Sequence, residues 1–517
     1  MNVKATFALL FFIAYAAIAV LLVLGFNAWW LLLLVFPPTL LMLWNINQKH
    51  HSLLRNYPIV GYIRYGFESI RPEIRQYFIE SDLDGKPFNR RQRSLVYQRA
   101  KNVRQTVPFG MQADSKEIGF EWMSHTMYPV KVKQENLRVT IGNKDCRLPY
   151  DSSLLNISAM SYGSLSKNAL LALNGGAKLG GFAHNTGEGG VSSFHLQEGG
   201  DVIWQIGTGY FGCRNAEGGF DAALFAEQAA HPNIKMIEIK LSQGAKPGHG
   251  GILPAEKNTP EIAAIRKVMP YTQVVSPPGH SAFRDASGLV HFIQHLRDLS
   301  GGKPVGIKLC IGEVSEFEDL CRAIRDTGIS PDFIVVDGAE GGTGAAPPEF
   351  TDNVGMPLYD GLASAHRLLT TYQVRRHTKL IAAGRIITAF DMMRVLALGA
   401  DLCYSARGMM FALGCIQALQ CDSGKCPVGV ATQDKSLYNG LDVTDKRVRV
   451  ANFHRNTLKA LVELMEAGGF ASTEEISAEK MYRRVSTTRI KTFDELYFKR
   501  DILLKINDNS QEEVSLN

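Results

Sequence analysis

The sequence predicts an α/β protein: a (β/α)8 TIM barrel preceded by a two-helix membrane hairpin and followed by a short helical tail. Three observations carry this prediction. The first 48 residues contain a long uncharged apolar run, and after Tyr150 short apolar runs alternate with helical stretches eight times. After Asp434 the pattern becomes helical and amphipathic. Eight strand–helix repeats are typical of the barrel, although a doubly wound sheet would give the same alternation.

The composition excludes several classes of protein. The chain has 517 residues, with 56 Lys and Arg against 50 Asp and Glu, giving a net charge of +6. A charge this small for the length excludes a nucleic-acid protein that binds through bulk charge. Eight cysteines are too few for a disulfide scaffold and favour a reducing compartment.

The uncharged N-terminal run predicts a transmembrane hairpin over residues 1–48. It is long enough for two spans, 5–25 and 29–46, since one span needs about 20 apolar residues. Lys4 precedes the first span and Lys49 follows the second, so both ends are expected on the cytoplasmic side of the inner (cytoplasmic) membrane, in contact with membrane lipid. The run is too long for a cleaved signal peptide, whereas Pro37-Pro38 leaves a re-entrant second segment open.

Residues 49–150 are polar and basic, and we interpret them as a collar leading into the main domain. The collar contains Arg90, Arg91 and Arg93. A solvated face is the interpretation that we favour for these arginines, and contact with anionic lipid headgroups is the alternative.

The barrel is expected over residues 151–434. Its eight predicted strands are Leu154–Met160, Phe182–Asn185, Met236–Leu241, Gln273–Ser276, Pro304–Cys310, Phe333–Asp337, Lys379–Ala383 and Leu402–Ser405. Active sites of this fold lie at the C-terminal ends of the strands, where the polar and glycine-rich motifs of this chain also fall.

Residues 435–517 are predicted to form a helical extension. Val448–Glu466 is amphipathic and ends at Gly468-Gly469. Ser472 and Glu475 have the spacing of a capping box that opens another helix.

Glycine-rich motifs after the last three strands predict an anion site. Gly338–Gly344 follows the sixth strand, Gly384-Arg385 ends the seventh, and Ala406-Arg407-Gly408 ends the eighth. Glycine lets backbone N–H groups approach an anion, and an arginine fork can bind phosphate. The loops after strands seven and eight are the usual phosphate site of the barrel.

A second motif is cationic and follows the third predicted strand. The loop Lys240–Gly251 contains Lys240, Gln243 and Lys246, and Lys308 lies inside the fifth strand. These groups suit either a carboxylate-bearing substrate or the electron-rich end of a reduced flavin. A lysine within a barrel strand is costly to bury without a partner, so we favour a functional role for Lys308 over snorkelling.

Three cysteines near the end of the barrel predict a metal centre. Cys415, Cys421 and Cys426 lie within twelve residues of each other in a chain otherwise poor in cysteine. A zinc site would require a fourth ligand and commonly a C-x2-C spacing, so an iron–sulfur cluster with three protein ligands fits better. Three buried free thiols remain the alternative. A redox cluster beside an anion-binding barrel indicates a flavoprotein that takes electrons singly and delivers them in pairs.

Several motifs, in order, resemble the FMN-binding synthase domain of glutamate synthase over roughly residues 150–470. They are Ser158–Ser164, Asn185–Gly190, Gln243–Gly248, Ser276–Pro278, Asp337–Ala345 and Gly414–Asp434. The resemblance implies FMN, a three-iron, four-sulfur (3Fe-4S) cluster on Cys415, Cys421 and Cys426 in the loop 415–426, and an oxidoreductase acting on CH–NH2 donors. The implied reaction is the reductive amination of 2-oxoglutarate by ammonia to give L-glutamate.

The resemblance also implies residue roles. The keto acid would be held or polarised by Glu188, Lys240, Lys246 and Arg266, with Glu188 handling the ammonia or imine proton. The residues implied for the cofactor and its phosphate are Ser161, Gln243, Lys308, Gly341, Gly342, Thr343, Gly384, Arg385 and Arg407.

The chain departs from the family at three positions: Tyr210 replaces an arginine, His280-Ser281 replaces paired histidines, and His249 stands where glutamate is common. These changes affect the expected substrate more than the expected cofactor. The family's glutaminase domain is not found in the sequence, so free ammonia or a separate glutaminase is expected as the nitrogen source. Because no dinucleotide motif follows a strand, electrons are expected from a ferredoxin or a reductase subunit.

Three functions therefore follow from the sequence. The first is a membrane-tethered glutamate synthase-like enzyme. The second is a relative using another amine or keto acid, such as an N-methylglutamate synthase. The third is a membrane electron-transfer flavoprotein that does not synthesise amino acids.

Overall fold

The structure is a computed structural model that describes residues 3–104, 106–133 and 137–499. The chain divides into two compact units, residues 1–90 and 91–517. The finer boundaries predicted at 48, 150 and 434 stay predictions. The end of the predicted tail, beyond residue 499, lies outside the described residues.

Helices build the first unit. They are Val3–Val23, Leu32–Asn47 with a 3-10 turn Trp29–Leu31 before it, Ser52–Asn56, Gly61–Ile74 and the π turn Arg75–Ile79. Val3–Val23 and Trp29–Asn47 are long and apolar enough to cross a membrane, by length and composition alone. They coincide with the two predicted spans, and the second helix continues through Pro37 and Pro38. The membrane location itself stays a prediction.

A closed barrel of eight parallel strands forms the centre of the second unit. In chain order these strands are Leu155–Ile157, Ala183–Asn185, Asp201–Ile206, Ile234–Lys240, Val305–Leu309, Phe333–Asp337, Lys379–Ala383 and Leu402–Ser405. The (β/α)8 prediction is therefore confirmed, and the doubly wound alternative is wrong.

Two of the strand predictions need correction. The third barrel strand is Asp201–Ile206, which the sequence analysis missed, because only the short helix Ser193–Leu196 separates it from the second strand. Gln273–Ser276 is not a barrel strand: Val274–Val275 pairs antiparallel with Ile252–Leu253. Lys240 consequently ends the fourth strand rather than the third, while strands five to eight keep their predicted order.

Helices surround the barrel. The main ones are Lys167–Gly180, Ala222–Ala229, Pro260–Arg266, Ala286–Leu299, Val314–Thr327, Leu358–Thr371, Ala389–Ala397 and Arg407–Leu413. Short helices Pro348–Asn353 and Lys435–Tyr438 lie in the connections. The strands bury side chains on both faces, most of them apolar, and the buried polar ones include His184, Asn185, Gln205, Glu238 and Lys240.

The C-terminal extension is only partly helical, which corrects the prediction. The helix Val443–Gly468 ends at Gly469, as the glycine pair predicted. Two strands follow, Met481–Arg484 and Ile490–Thr492, and they form an antiparallel sheet with Glu121–Met123. A short helix, Phe493–Tyr497, is the last element among the residues that the structure describes.

The predicted capping box at Ser472 is not formed in the described structure, where Thr473–Glu475 is a single 3-10 turn. The Glu475 carboxylate instead accepts a hydrogen bond from the Ala471 N–H at 2.7 Å.

The collar contains more regular structure than its sequence suggested. Helix Arg90–Lys101 lies at its centre, and a hairpin of Arg138–Ile141 and Tyr150–Ser153 precedes the first barrel strand. Arg90 and Arg91 are exposed, as a solvated face requires, whereas Arg93 is buried at 5% exposure. The solvated-face interpretation is therefore wrong for Arg93.

Candidate functional site

An ion pair lies at the C-terminal ends of the second and fourth barrel strands. Lys240 is the last residue of the fourth strand, and its Nζ lies 2.8 Å from Oε1 of Glu188, in the loop after the second strand. The same Nζ donates to Oε1 of Gln243 at 3.1 Å. The Lys240 and Glu188 side chains are only 10% and 20% exposed, so the ion pair is largely removed from water.

Two further cations surround Glu188. Lys246 and Arg266 are buried, at 4% and 6% exposure. The Arg266 guanidinium donates to the Tyr162 carbonyl at 3.2 Å and lies 5.1 Å from the centre of the Phe211 ring. Its Nε is buried and has no hydrogen-bond partner among the residues that the structure describes.

The charges in this cluster shift one another's ionisation. Burial raises the pKa of Glu188, but Lys240, Lys246 and Arg266 outweigh this effect, so the pKa is lowered and the group stays a carboxylate. Burial and the neighbouring Lys240 charge lower the pKa of Lys246. Burial lowers the pKa of Arg266 to about 10 despite the nearby carboxylate. Three cations around one carboxylate leave a net positive pocket that suits a dianion.

The barrel interior holds a second buried pair. The Lys308 Nζ lies 3.3 Å from Oδ2 of Asp337, and this carboxylate also accepts the Gly244 N–H at 3.0 Å. The Asp337 side chain is 8% exposed. The sequence predicted a functional Lys308 but missed its partner, because Asp337 ends an otherwise apolar run.

Glu238 lies deeper in the barrel and is fully buried. Its Oε1 accepts hydrogen bonds from the side-chain amides of Asn185 at 2.9 Å and Gln205 at 2.6 Å. Burial raises the pKa of Glu238 in spite of the Lys308 charge and these hydrogen bonds. The sequence analysis did not identify this residue, since nothing in a strand pattern separates it from a surface glutamate.

The glycine motifs after strands six to eight come together as predicted. The Gln243 side chain donates to the Gly342 carbonyl at 2.8 Å, and Arg407 donates to the Glu340 carbonyl at 2.7 Å. A Cβ added at Gly342 would lie 2.6 Å from Arg407 Nε, so a side chain there would fill the space beside the guanidinium. Gly341, within the same turn, donates its N–H to the Gly338 carbonyl.

Two arginines lie close enough in this region to repel each other. Burial, followed by the charge of Arg385, lowers the pKa of Arg407 to about 10. Arg385 and the preceding Gly384 both have positive φ, 52° and 132°, at the end of the seventh strand. Two neighbouring cations beside a glycine turn are the donor set that a phosphate monoester requires.

The last two predicted cofactor residues, Ser161 and Thr343, lie in different parts of the site. The Ser161 hydroxyl donates to Ser164 Oγ at 3.0 Å, and a Cβ at Gly187, next to Glu188, would lie 3.1 Å from Ser161 Cβ. Thr343 is exposed and donates to the Ala345 carbonyl at 3.3 Å. Ser161 therefore adjoins the carboxylate loop, and Thr343 belongs to the phosphate turn.

The three cysteines lie in the loop after helix Arg407–Leu413. Burial, with smaller contributions from Cys421 and Cys426, raises the pKa of Cys415 to about 12, so these thiols are near enough to influence each other. Within the ranges that the structure describes, no group of three or more His, Cys, Asp and Glu side chains is arranged to hold a metal ion. The cluster ligands stay a prediction.

Buried cations border this loop. Lys257 is 5% exposed, donates to the Cys421 carbonyl, and its charge acts on Cys421 and Cys426. Arg93, the buried arginine of the collar, acts on Cys415. Three thiols with positive charge on two sides are donor chemistry that fits an anionic iron–sulfur cluster.

Two of the three positions that depart from the family, Tyr210 and His280, form a chain of hydrogen bonds to the backbone of Lys240. The Tyr210 hydroxyl lies 3.0 Å from His280 Nδ1, and His280 Nε2 lies 2.9 Å from the Lys240 carbonyl. The Tyr210 hydroxyl also accepts the Ala282 N–H at 3.1 Å. His249 is bonded through Nδ1 to the Gly250 carbonyl. Tyr210 and His280 therefore fix the strand end that carries Lys240.

The fold and site define a (β/α)8 protein with a cationic pocket and an adjacent phosphate turn at one end of the barrel. Residues 120–471 match the conserved region in glutamate synthase, and the chain belongs to this family.

Curated relatives agree. The glutamate synthase large subunit-like protein YerD of Bacillus subtilis is 37% identical over 490 residues, covering 87% of this chain and 93% of the relative. The archaeal glutamate synthase (NADPH) of Methanocaldococcus jannaschii is 33% identical over 366 residues, and the aligned region covers 71% of this chain and 68% of that relative. The ferredoxin-dependent glutamate synthase of Pyropia yezoensis is 33% identical over 54% of this chain, which is 18% of that relative.

Among solved structures, mandelate oxidase with (S)-4-hydroxymandelic acid aligns with a TM-score of 0.43 at 14% identity, covering 72% of this chain and 87% of that one. So distant a likeness adds nothing to the site.

Proposed function

We propose that this protein is an FMN-dependent glutamate synthase-like oxidoreductase that converts 2-oxoglutarate and ammonia to L-glutamate. The observation that carries the proposal is the carboxylate Glu188 surrounded by Lys240, Lys246 and Arg266. 2-Oxoglutarate has two carboxylates, and a pocket with surplus buried positive charge favours such a dianion.

Each member of the cluster then has a role. Lys246 and Arg266 hold the substrate carboxylates, because both cations are buried and Arg266 has an unpaired Nε among the described residues. Glu188 stays ionised and positions ammonia by accepting a hydrogen bond from its N–H, so that the nitrogen lone pair attacks the keto carbon. Lys240 fixes the Glu188 carboxylate through the 2.8 Å contact. Loss of water from the addition product gives the imine, its nitrogen takes up a proton, and transfer of a hydride to its carbon then gives the amine of glutamate.

FMN fits the residues beside this pocket. The turn Gly341–Thr343, with Gly384, Arg385 and Arg407, would hold the phosphate, since two cations flank a position that a Cβ at Gly342 would block. Ser161, Gln243 and Lys308 would contact the rest of the cofactor. When bound, FMN supplies the hydride that reduces the imine carbon.

Electrons are proposed to reach the flavin through a 3Fe-4S cluster held by Cys415, Cys421 and Cys426. Their source is proposed to be a ferredoxin or a reductase subunit; one relative is named for ferredoxin and another for NADPH. Ammonia is taken from solution or from a separate glutaminase. The two apolar helices of the first unit would anchor the enzyme in the cytoplasmic membrane, with the barrel in the cytoplasm.

The first experiment is an anaerobic titration of the detergent-purified full chain after photoreduction. Addition of 2-oxoglutarate and ammonium should reoxidise the flavin absorbance while glutamate appears. A reduced flavin that ignores both additions would refute the proposed reaction. Reoxidation with methylamine but not with ammonium would indicate an N-methylglutamate synthase-like enzyme instead.

A matched pair of lysine variants tests the pocket. Lys246→Ala should reduce glutamate formation by a factor of about 100 or more, the scale of losing a positioned catalytic charge, while FMN stays bound. Lys178→Ala, at an exposed lysine of the helix Lys167–Gly180, should leave the rate unchanged. Equal activity of the two variants would remove Lys246 from the site.

The cluster is tested separately. Cys421→Ser should abolish the iron content and the low-temperature EPR signal of the oxidised protein, because serine is a poor cluster ligand. Cys146→Ser is the control, since its thiol lies outside the loop and a hydroxyl can keep its contact with the Gly302 carbonyl. Iron that survives Cys421→Ser would exclude this ligand set without touching the proposed amination.

A further inference from the structure

The helix Gly61–Ile74 has an apolar face that is open to solvent in the described part of the chain. Ile63, Phe67, Ile70 and Ile74 follow the spacing that places side chains on one helix face. Ile63 is 58% and Phe67 62% exposed. The π turn Arg75–Ile79 continues the helix with Phe78 at 84% exposure. So many large apolar groups in water indicate a surface that is covered when the protein functions.

The rest of the helix surface is charged, and its charges balance once Glu80, the residue after the π turn, is included. Arg64 pairs with Glu68 at 2.9 Å, and Arg75 pairs with Glu80 at 3.0 Å. Arg71 and Glu73 add one charge of each sign. A neutral polar face gives little attraction to a charged partner, so the apolar face determines what this helix binds.

Hydrogen bonds fix the start of this helix at the end of the second span-length helix. Asn45, in the last turn of Trp29–Asn47, is 2% exposed. Its Nδ2 donates to the Pro58 carbonyl at 2.7 Å and to the Tyr62 hydroxyl at 3.2 Å. Leu54, in the short helix between them, is also buried. The first turn of the amphipathic helix therefore contacts the last turn of the apolar helix.

This position identifies the occupant of the apolar face. A helix that crosses a membrane ends at the interface between lipid and water, and a segment attached to that end lies at the same depth. We propose that residues 61–79 form an interfacial helix that lies along the membrane surface with Phe67 and Phe78 inserted among the acyl chains. The inference rests on the proposed membrane location of the two apolar helices. Zwitterionic lipid suffices as the partner because the charges of residues 61–80 cancel.

The test uses the full chain in nanodiscs of phosphatidylcholine, with the photo-crosslinking residue p-benzoylphenylalanine placed at one position at a time. Phe67 and Phe78 test the apolar face, Glu68 on the charged face is the matched control, and Leu10 reports on the first span. Mass spectrometry should find about tenfold more lipid adduct at Phe67 and Phe78 than at Glu68, in line with the preference of a phenylalanine side chain for an apolar environment.

The outcomes separate this inference from the membrane proposal. Lipid adducts at Leu10 with none at Phe67 and Phe78 would overturn the interfacial helix while leaving the anchor in place. Protein adducts at Phe67 would assign the face to another chain and equally overturn it. Absence of lipid adducts at Leu10 as well would refute the membrane location on which the inference rests.

Discussion

In the proposed reaction, Lys246 is the residue whose ionisation most directly sets the affinity for the dianionic substrate. It is buried beside a second lysine, and both burial and the Lys240 charge favour its neutral form. A bound carboxylate would restore part of the lost stabilisation, so substrate binding and protonation of Lys246 are coupled.

We therefore predict that KM for 2-oxoglutarate rises with increasing pH. This rise should begin at a lower pH than the titration of an ordinary lysine would produce. The pKa of Lys246 is lowered by burial and by the neighbouring Lys240 charge, so its own charge is lost at a lower pH than that of an ordinary lysine. Lys246→Arg should move this rise to higher pH, because a guanidinium keeps its charge across the range. Steady-state kinetics between about pH 7 and pH 10 measure the effect.

Lys178→Arg, at an exposed position, should leave the KM profile unchanged. The prediction fails if Lys246→Arg retains the wild-type alkaline rise, since the titrating group would then be another residue. The ionisation of Glu188 contributes nothing to the alkaline rise in KM, because its lowered pKa keeps it ionised from neutral pH upward.

At the scale of single residues, the sequence analysis identified the site residues that belong to unusual motifs. Glu188, Lys240, Lys246 and Arg266 were named from a resemblance, and the structure brings them together around one ion pair. Asp337 and Glu238 were not predicted, because their roles arise only when strands become neighbours. The contact between Lys308 and Asp337 joins the fifth and sixth strands, and no local pattern encodes it.

At the element scale, Asp332 ties helix Ala286–Leu299 to the start of the sixth strand. Its Oδ2 accepts from Arg297 Nη2 at 3.0 Å and from the Val305 N–H at 2.8 Å, and Oδ1 accepts from the Asn143 N–H at 2.7 Å. We predict that Asp332→Asn lowers the free energy of unfolding by about 3–5 kcal/mol, because it leaves the buried Arg297 charge unpaired. Urea titration of the detergent-solubilised chain measures the loss.

Asp326→Asn is the control for that variant. Asp326 pairs with Arg325 at 2.9 Å, but both side chains are more than half exposed. An exposed pair contributes at most about 1 kcal/mol. If both substitutions lower the free energy of unfolding by the same amount, the buried pair would contribute no more to stability than the exposed pair.

A glycine permits the close approach of helices Lys167–Gly180 and Val443–Gly468. A Cβ at Gly176 would lie 2.5 Å from Val450 Cγ1 and 2.9 Å from the Arg447 carbonyl. We predict that Gly176→Ala lowers the free energy of unfolding by about 1–3 kcal/mol through overpacking. Adding Val450→Ala should recover only part of the loss, because it removes the Cγ1 contact but keeps the Val450 Cβ, which would lie 2.6 Å away.

Gly66→Ala provides the comparison, since this helical glycine has open space where a Cβ would stand. Alanine there should be neutral or stabilising by up to about 1 kcal/mol. A cost for Gly66→Ala equal to that for Gly176→Ala would assign the effect to glycine in general and not to the helix contact.

The same scale shows where strand prediction succeeds. Phe333–Asp337 and Lys379–Ala383 were predicted with the bounds that the structure has, because a long helix separates them and each run is apolar except for one charged residue at its end. Asp201–Ile206 was missed since no long helix precedes it, and Val274–Val275 was misplaced because a two-residue hairpin strand has the same composition as a barrel strand. The strands of the tail were missed because their partner, Glu121–Met123, is remote in sequence.

At the scale of the whole molecule, the chemistry and the apolar helices belong to different units. Every residue assigned to the pocket, the phosphate turn and the cysteine loop lies in residues 91–517, and the barrel closes within that unit. The family match, residues 120–471, also lies entirely inside it. The sequence analysis separated an apolar N-terminal segment from the barrel repeats because their compositions differ strongly, and its boundaries at 48 and 150 stay predictions.

We predict that a chain beginning at Arg90, the first residue of helix Arg90–Lys101, binds FMN and keeps the wild-type KM for 2-oxoglutarate with a small-molecule reductant. It should no longer sediment with membranes, since Val3–Val23 and Trp29–Asn47 are removed. The full chain is the reference, and circular dichroism establishes that the shorter chain is folded. A folded but flavin-free shorter chain would mean that the first unit takes part in building the site, and that its helices do more than anchor the enzyme.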